Sequence, residues 1–481
     1  MKKGDLVELD IEKYAFEGKG IAKIYNSTSS QKEENPQQNK FVVFVNGAYP
    51  GDNVTAQIRK VKKSYAEAKA IKINSASNYR TEAKCAYFGT CGGCKQQDLE
   101  YAVQAKYKQE QVEEIFMKMG GFKDFIIEDI IPSEKIFFYR NKMEFSFSDK
   151  MWLTKDEIDS GIKIDKNFAL GLHIPGIYDK VLDINECYLQ SELSNKILNL
   201  TRSFFKERNI PPYSTNTHSG YLRNLVIKGS HHNTDLMVNL VTATENDDLM
   251  KEFADGLIKQ VPEITTIINN VNLKKAAVAT GDYEKVYYGS GFIYDTIGNY
   301  KFRISANSFF QTNTLQAEKL YKTALDFTGL NGSEVVYDLY SGAGTISIFI
   351  SSKAKEVFAF ESVEAAVNDA GENKKLNNAG NVHFFKADLY KSFLPFVEEE
   401  KIPLPDVVIL DPPRSGMHQN TVEDVIKLNP GKIVYVSCNP ATQARDIKLF
   451  SQSGYKLEKI RPVDMFPHTY HIENVALLKK I

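Results

Sequence analysis

The chain has 481 residues, 42% hydrophobic and 25% charged, with 60 basic against 61 acidic side chains and a formal net charge of −1. That mix excludes wholesale disorder, collagen and coiled coil, and at about 150 residues per domain it leaves room for roughly three cores. No apolar run approaches the roughly 18 residues that cross a bilayer, and MKKGDLVELD puts no apolar stretch behind its two lysines, so no secretory leader is expected. A cytoplasmic protein without a membrane segment is the expectation.

Residues 1–73 read as short strands (LVELDI, GIAKI, FVVFV, NVTAQI and AKAIKI) divided by the turn signals Gly18-Lys19-Gly20, Asn46-Gly47 and Pro50-Gly51. Five short strands in so little chain predict a small OB-like barrel, a common platform for nucleic acid. Residues 26–39, NSTSSQKEENPQQN, are almost free of apolar side chains and read as a flexible hairpin tip. Neutral net charge argues against a polyanion partner for the surface as a whole, but charge is uneven. From Val54 to Arg80 there are seven basic residues (Arg59, Lys60, Lys62, Lys63, Lys69, Lys72, Arg80) against Glu67 alone. Such a stretch either attracts a polyanion or is a solvated strand face.

Five cysteines in a cytoplasmic chain do not suggest disulfides. Cys85-x5-Cys91-x2-Cys94 and the remote Cys187 form one candidate ligand set, and its spacing leaves structural zinc and an iron–sulfur cluster equally open. A helix from about Asp98 to Met119 follows, with Asp98 as N-cap and Gly120-Gly121 as C-cap. From Ile126 to about Tyr300 the segments KIFFYRNKMEFSF, LRNLVIKG, DLMVNLVTA and TTIINNVN predict a mostly antiparallel α+β domain with few helices. The predicted boundaries are 1–74, 75–300 and 301–481, with helix 98–120 a candidate for packing on the last domain.

From Leu315 onward strands and helices alternate. A helix (Thr314 to Phe327) precedes EVVYDLY, EVFAFE, VHFFKA, DVVILDPP and KIVYVSC, with 10–15-residue helical stretches between them, which predicts a doubly wound, Rossmann-like parallel sheet. Ligands of such sheets bind beyond the C-terminal strand ends. There the sequence places the turn Ser341-Gly342-Ala343-Gly344-Thr345, then Glu361 for ribose hydroxyls, Asp388 for an adenine edge, and Asp411-Pro412-Pro413-Arg414. The turn lacks the third glycine of G-x-G-x-x-G, so a ligand without pyrophosphate is expected. One strand-end acid is usually a cap or turn former; the succession points to an S-adenosylmethionine-dependent methyltransferase.

The fifth strand ends Val436-Ser437-Cys438-Asn439-Pro440, and Cys438 is the cysteine left over from the other four. Free cysteines are mostly buried as small hydrophobes, but here the residue leads straight into a polar turn at the ligand edge. A methyltransferase with such a thiol suggests methylation of a pyrimidine carbon. C5 of uracil is a poor nucleophile until a thiolate adds at C6, and the C5 proton must afterwards be taken by a base. Glu473, in His471-Ile472-Glu473 before the strand VALLKK, is the candidate base.

Phe309-Phe310-Gln311-x-Asn313, Asp411-Pro412-Pro413-Arg414-x-Gly416, Ser437-Cys438-Asn439-Pro440 and His471-Ile472-Glu473-x-Val475 occur in that order. The chain resembles the bacterial RNA uracil-5-methyltransferase family over essentially its whole length, most closely the ribosomal RNA branch with an N-terminal TRAM domain. The resemblance implies Cys438 as nucleophile and Glu473 as base. It also implies Gln311, Tyr340, Glu361 and Asp411 as S-adenosylmethionine contacts, joined here by Gly342 and Asp388 from the strand-end reading, and Phe309 beside the target base. Ser341, Ala343 and Thr345 vary the turn, Thr345 standing where some relatives have asparagine. For Cys85, Cys91, Cys94 and Cys187 the resemblance implies a [4Fe–4S] cluster. The expected substrate is large-subunit (23S) ribosomal RNA, with transfer RNA as the alternative and a non-catalytic RNA-binding protein as a rival of another class. Lys60, Lys62 and Lys63, with Arg140 and Arg223, are the candidate backbone contacts, and a monomer is expected.

Overall fold

The computed structural model describes residues 1–25, 40–276 and 278–481; the expected hairpin tip at 26–39 lies outside the described residues. The chain divides into two compact units. The first comprises Met1–Gly89, Gly93–Glu114 and Phe466–His471, and the second Thr90–Gly92, Ile115–Met465 and Ile472–Ile481.

In the first unit β1 (Leu6–Asp10), β2 (Lys13–Ala15), β3 (Lys19–Tyr25), β4 (Lys40–Asn46), β5 (Asn53–Val61) and β6 (Tyr65–Ser75) form one sheet in the order β1-β5-β6-β4-β3-β2. All pairs are antiparallel except β4 with β6. β1 also approaches β3, so the sheet curls into the expected barrel. Period-two patterning builds its core: Val54, Ala56 and Ile58 of β5 point inward with Leu9, Val43, Val45, Ala66 and Ala68. Three-residue β2, which carries only Tyr14 inward, is too short to signal itself in sequence.

Helix α1 (Tyr101–Glu114) belongs to this unit. It starts three residues later than expected because Asp98 is not its N-cap. The Asp98 carboxylate instead pairs with Arg80 and accepts from the Tyr49 hydroxyl. Arg80 also binds the buried Asp52 through Nε (2.9 Å) and Nη2 (2.8 Å), while Asp52 accepts from the backbone N–H groups of Tyr49 and Ser77. Arg80 is therefore a structural ion-pair residue, and the phosphate role expected of the whole Arg59–Arg80 stretch does not extend to it.

The long segment of the second unit starts with a π-helical turn, Ile115–Gly120, that buries Ile115 and Phe116 and gathers Phe116, Phe122 and Phe125. A short strand β7 (Ile126–Ile127) follows. Next come β8 (Lys142–Ser148), β9 (Met151–Trp152), α2 (Lys155–Asp159), β10 (Ala169–Ile174), β11 (Ile177–Asp183), α3 (Glu192–Glu207), β12 (Leu222–Gly229), β13 (Leu236–Thr242), α4 (Asp247–Gln260), β14 (Thr266–Val271) and β15 (Tyr283–Tyr288). Their sheet runs β15-β14-β13-β12-β8-β10-β11-β9, with only β13/β14 and β9/β11 parallel. Amphipathic α3 and α4 meet through Phe204, Phe205 and Phe253.

A hairpin of β16 (Phe292–Ile297) and β17 (Tyr300–Ser305) leads to α5 (Thr314–Thr328) and the alternating region: β18 (Val335–Leu339), α6 (Thr345–Ile350), β19 (Glu356–Glu361), α7 (Glu364–Leu376), β20 (Val382–Lys386), α8 (Leu394–Glu399), β21 (Val407–Leu410), α9 (Gln419–Leu428), β22 (Lys432–Ser437), α10 (Pro440–Ser451), β23 (Tyr455–Val463) and β24 (Glu473–Lys480). The order β20-β19-β18-β21-β22-β24-β23-β7 is parallel from β20 to β22, with β24 antiparallel beside β22. Strand order reverses between β18 and β21, the crevice where open α/β sheets take their ligands. Among the described residues no helix is long and apolar enough to cross a membrane.

Candidate active site

Cys438 follows the last residue of β22, and Glu473 is the first of β24. In the antiparallel ladder Ser437 faces Asn474, and Cys438 and Glu473, the next residues on the two chains, are close enough for the carboxylate charge to act on the thiol. Asn474 fixes that register from the side: its Nδ2 donates to Gln443 Oε1 of α10 (2.7 Å), and Gln443 Nε2 donates to the Tyr435 and Asn474 carbonyls. Asn439 caps α10 through the Ala441 N–H (3.1 Å), and Pro440 suits the first turn.

The same helix start holds the D-P-P-R turn. Asn439 Nδ2 (3.0 Å) and Thr442 Oγ1 (3.3 Å) donate to the Arg414 carbonyl, Arg445 Nη2 donates to the Ser415 carbonyl, and Asp446 accepts from the Met417 N–H. Arg414 consequently faces both reactive candidates. Burial and the neighbouring Glu473 push the Cys438 thiol up to about 11, while the Arg414 guanidinium, hydrogen-bonded to it, pulls it down. Glu473 is 5% exposed, and burial followed by the Asp411 charge raises its carboxyl well above the ordinary range, again opposed by Arg414.

At the glycine turn, Tyr340 leaves β18 with φ 68°, a left-handed conformation that costs a bulky residue about 1–3 kcal/mol and is held where the surroundings demand it. Gly342 (φ 53°) leaves open space where a Cβ would stand, whereas a Cβ on Gly344 (φ 77°) would meet Phe384 at 2.4 Å. The Gly342 N–H donates to Glu361 Oε2 (3.0 Å), and Glu361 Oε1 takes the Val363 N–H (2.8 Å). Asp411, at the end of β21, is raised to about 7 by burial and then by Asp338. Gln311 and Thr345 both reach the Tyr321 hydroxyl.

Cys438, Glu473, Arg414, Asp411, Asp338 and Glu361 thus form one electrostatically linked group along the sheet edge. Asp388 is not part of this linked group: it is exposed, accepts the Tyr390 N–H and lies 3.6 Å from Lys391. Phe309 is 69% exposed while its neighbour Phe310 is buried. Asp338 was not singled out by the sequence reading, although an acid inside the apolar strand VVYDLY was its signal. Burial holds its carboxyl up at about 7. Asp338 Oδ1 and Ser341 Oγ are buried at the turn without a partner, which suits a polar ligand of the S-adenosylmethionine type.

Of the RNA candidates, Lys60, Lys62 and Lys63 are exposed at the β5–β6 hairpin, with Lys60 3.9 Å from Glu67. Arg140 is half-buried. Arg223 is corrected: it is 7% exposed, lies over the Tyr213 ring and donates to the Lys274 and Ala276 carbonyls. Its head therefore braces a loop and is not presented to a phosphate.

None of the five cysteines is in a disulfide. Gln97 touches two of them, accepting from Cys85 N–H (3.1 Å) and donating to Cys94 Sγ (3.2 Å), and Cys187 N–H donates to Asn195 (2.8 Å). Thiolates are the donors a [4Fe–4S] cluster takes, but the structure does not gather these cysteines into a metal-holding group. Among the described residues no group of three or more His, Cys, Asp or Glu side chains is placed to hold a metal ion.

Residues 233–481 match the tRNA (Uracil-5-)-methyltransferase family, and residues 1–71 match the TRAM domain. An uncharacterized RNA methyltransferase of Chlorobaculum tepidum is 42% identical across 100% of this chain and 97% of its own length. One of Bacteroides thetaiotaomicron is 41% identical across 97% and 99%. The crystal structure of Pyrococcus abyssi tRNA (uracil-54, C5)-methyltransferase in complex with S-adenosyl-L-homocysteine is 29% identical, covers 98% of this chain and 99% of its own, and superposes with a TM-score of 0.72. With the TRAM barrel at one end and the methyltransferase sheet at the other, the chain belongs to the RNA uracil-5-methyltransferase family and is an S-adenosylmethionine-dependent RNA methyltransferase.

Proposed function

We propose that the protein methylates C5 of a uridine in large-subunit (23S) ribosomal RNA through a covalent Cys438–C6 adduct. The observation that supports this reading is the electrostatic coupling of Cys438 and Glu473 at adjoining strand ends, with Arg414 as the cation neighbouring both. The target base leaves its stack to reach a sheet edge, and Phe309 meets it. Cys438 adds to C6 as thiolate, with Arg414 offsetting its charge. Gln311, Tyr340, Gly342, Glu361, Asp411 and, at its adenine edge, Asp388 would hold S-adenosylmethionine, whose sulfonium-bound methyl would pass to C5 of the adduct and leave neutral S-adenosylhomocysteine. Glu473 then removes the C5 proton, and elimination of the thiolate restores the ring.

The exposed lysines Lys60, Lys62 and Lys63, joined by Arg140, contact the RNA backbone. The polypeptide works in the cytoplasm as a monomer of three functional parts, 1–74, 75–300 and 301–481. Cys85, Cys91, Cys94 and Cys187 ligate a [4Fe–4S] cluster; iron and labile sulfide in equal amounts in protein purified without oxygen support it, and zinc instead overturns it. Transfer RNA is the second reading, favoured by the substrate of the Pyrococcus abyssi structure, which covers nearly the whole chain. Incubation with labelled donor and separate ribosomal and transfer RNA pools, followed by nucleoside mass spectrometry, tests both. 5-Methyluridine in ribosomal RNA supports the proposal, label only in transfer RNA moves the substrate, and methyl on any other atom refutes the chemistry.

A further inference from the structure

The segment joining β17 to α5 carries both Phe309 and Gln311, and buried groups grip it from below. Lys228, in the middle of the central sheet on β12, is 4% exposed, and its Nζ donates to the Ser305 carbonyl (2.8 Å) and the Ser308 carbonyl (3.0 Å). Asn307, between them, donates through Nδ2 to Glu284 Oε1 (2.7 Å), while its Oδ1 accepts from Asn270 (2.7 Å). The next residue but one is Phe309, whose ring is mostly in solvent.

Burying this amine is costly, enough to push it down to about 7, and an apolar side chain of similar length would fill the same place without that cost. Its partners here are main-chain carbonyls of one turn, so the lysine holds that turn from below, beside the Ser305 N–H bond to Ser308 Oγ (3.0 Å) and the Asn307 side chain. An exposed aromatic ring on an unanchored turn would sample many positions, whereas one on a turn fixed at both carbonyls is presented in a single place.

Resting on the reading that Phe309 meets the target base, we infer that Lys228 is a positioning residue for RNA, holding the 305–308 turn so that Phe309 is set for the flipped uridine. Lys228 touches neither donor nor base; it acts through the turn.

The test uses full-length protein, donor, and whichever of the ribosomal or transfer RNA pools accepts methyl, comparing Lys228→Met, Phe309→Ala and the double variant. The expected result is that Lys228→Met raises the KM for RNA about tenfold and leaves kcat and S-adenosylhomocysteine affinity within about twofold. In the double variant the KM exceeds that of Phe309→Ala by less than about threefold, because both changes remove one function. A tryptophan reporter made by Phe309→Trp in a Trp152→Phe background should lose anisotropy when Lys228→Met is added. An unchanged KM, an equal loss of donor affinity, or fully multiplicative effects overturn the role. If Phe309→Ala alone leaves the KM unchanged, the base-contact reading fails first and the proposal with it. Should Lys228→Met not fold, Asn307→Ala, an exposed position on the same turn, is read against the same outcomes.

Discussion

The thiol at Cys438 offers a sharp quantitative prediction, because burial and a neighbouring carboxyl move it from 9.0 to about 11 before any ligand arrives. At pH 7.5 a thiol at 9.0 is about 3% ionised, and one at about 11 only on the order of 0.03%, a hundredfold fewer thiolates. A more basic thiolate is a better nucleophile, and a Brønsted slope of about 0.45 returns roughly eightfold of that loss. Alkylation of Cys438 by iodoacetamide should therefore run about tenfold slower at pH 7.5 than at an accessible ordinary cysteine. Because the folded site favours the protonated form, the rate should climb about tenfold per pH unit from pH 7 to pH 9.5 without levelling. Arg414→Gln removes the charge that lowers the thiol and should slow alkylation further at every pH. Peptide mass spectrometry isolates Cys438 from the other four cysteines. A plateau below pH 8, or a rate at pH 7.5 equal to that of an unhindered thiol, would refute the electrostatic account.

Three further outcomes follow from the same geometry. Arg80→Met strands the buried Asp52 carboxylate and should destabilise the first unit by about 3–5 kcal/mol in denaturant unfolding; unchanged stability would mean the ion pair is incidental. Replacing Lys60, Lys62 and Lys63 with alanine should flatten the salt dependence of RNA binding by about 0.7–0.9 in log–log slope per lost phosphate contact, and an unaltered slope assigns the RNA footprint elsewhere. Glu473→Gln should still transfer the methyl group but fail to release product, so labelled methyl accumulates on a protein–RNA adduct that resists denaturation. Normal turnover in that variant would give the proton to another base.

Much of this architecture is legible in the amino-acid order because it rests on local patterning. The barrel strands alternate cleanly, and the apolar runs EVVYDLY, DVVIL and KIVYVSC fall on β18, β21 and β22 within a residue. What escaped the sequence depends on partners far along the chain. Asp98 has the composition of a helix cap, but Arg80 claims its carboxylate. Arg223 looks like a phosphate ligand until its head is seen over Tyr213. Lys228 sits in LRNLVIKG like any strand lysine, and only the fold puts two carbonyls within its reach. The π-helical turn at Ile115–Gly120 has no pattern of its own; its six residues, IFMKMG, read as more α-helix. At the sheet edge, the positions of Glu361, Asp411, Cys438 and Glu473 at strand ends were readable, whereas the buried Asp338 between them, and the upward shifts it shares with Asp411, depend on desolvation that the folded sheet creates.

Covalent trapping tests the central claim most directly. The protein is mixed with S-adenosylmethionine and RNA in which uridine is replaced by 5-fluorouridine, whose C5 fluorine cannot leave as a proton. The account predicts a protein–RNA band that survives denaturation, carries the transferred methyl group, and disappears in Cys438→Ala. Methylation of ordinary RNA by a Cys438→Ala variant, or the absence of any trapped band from protein shown to bind both donor and RNA, would contradict it.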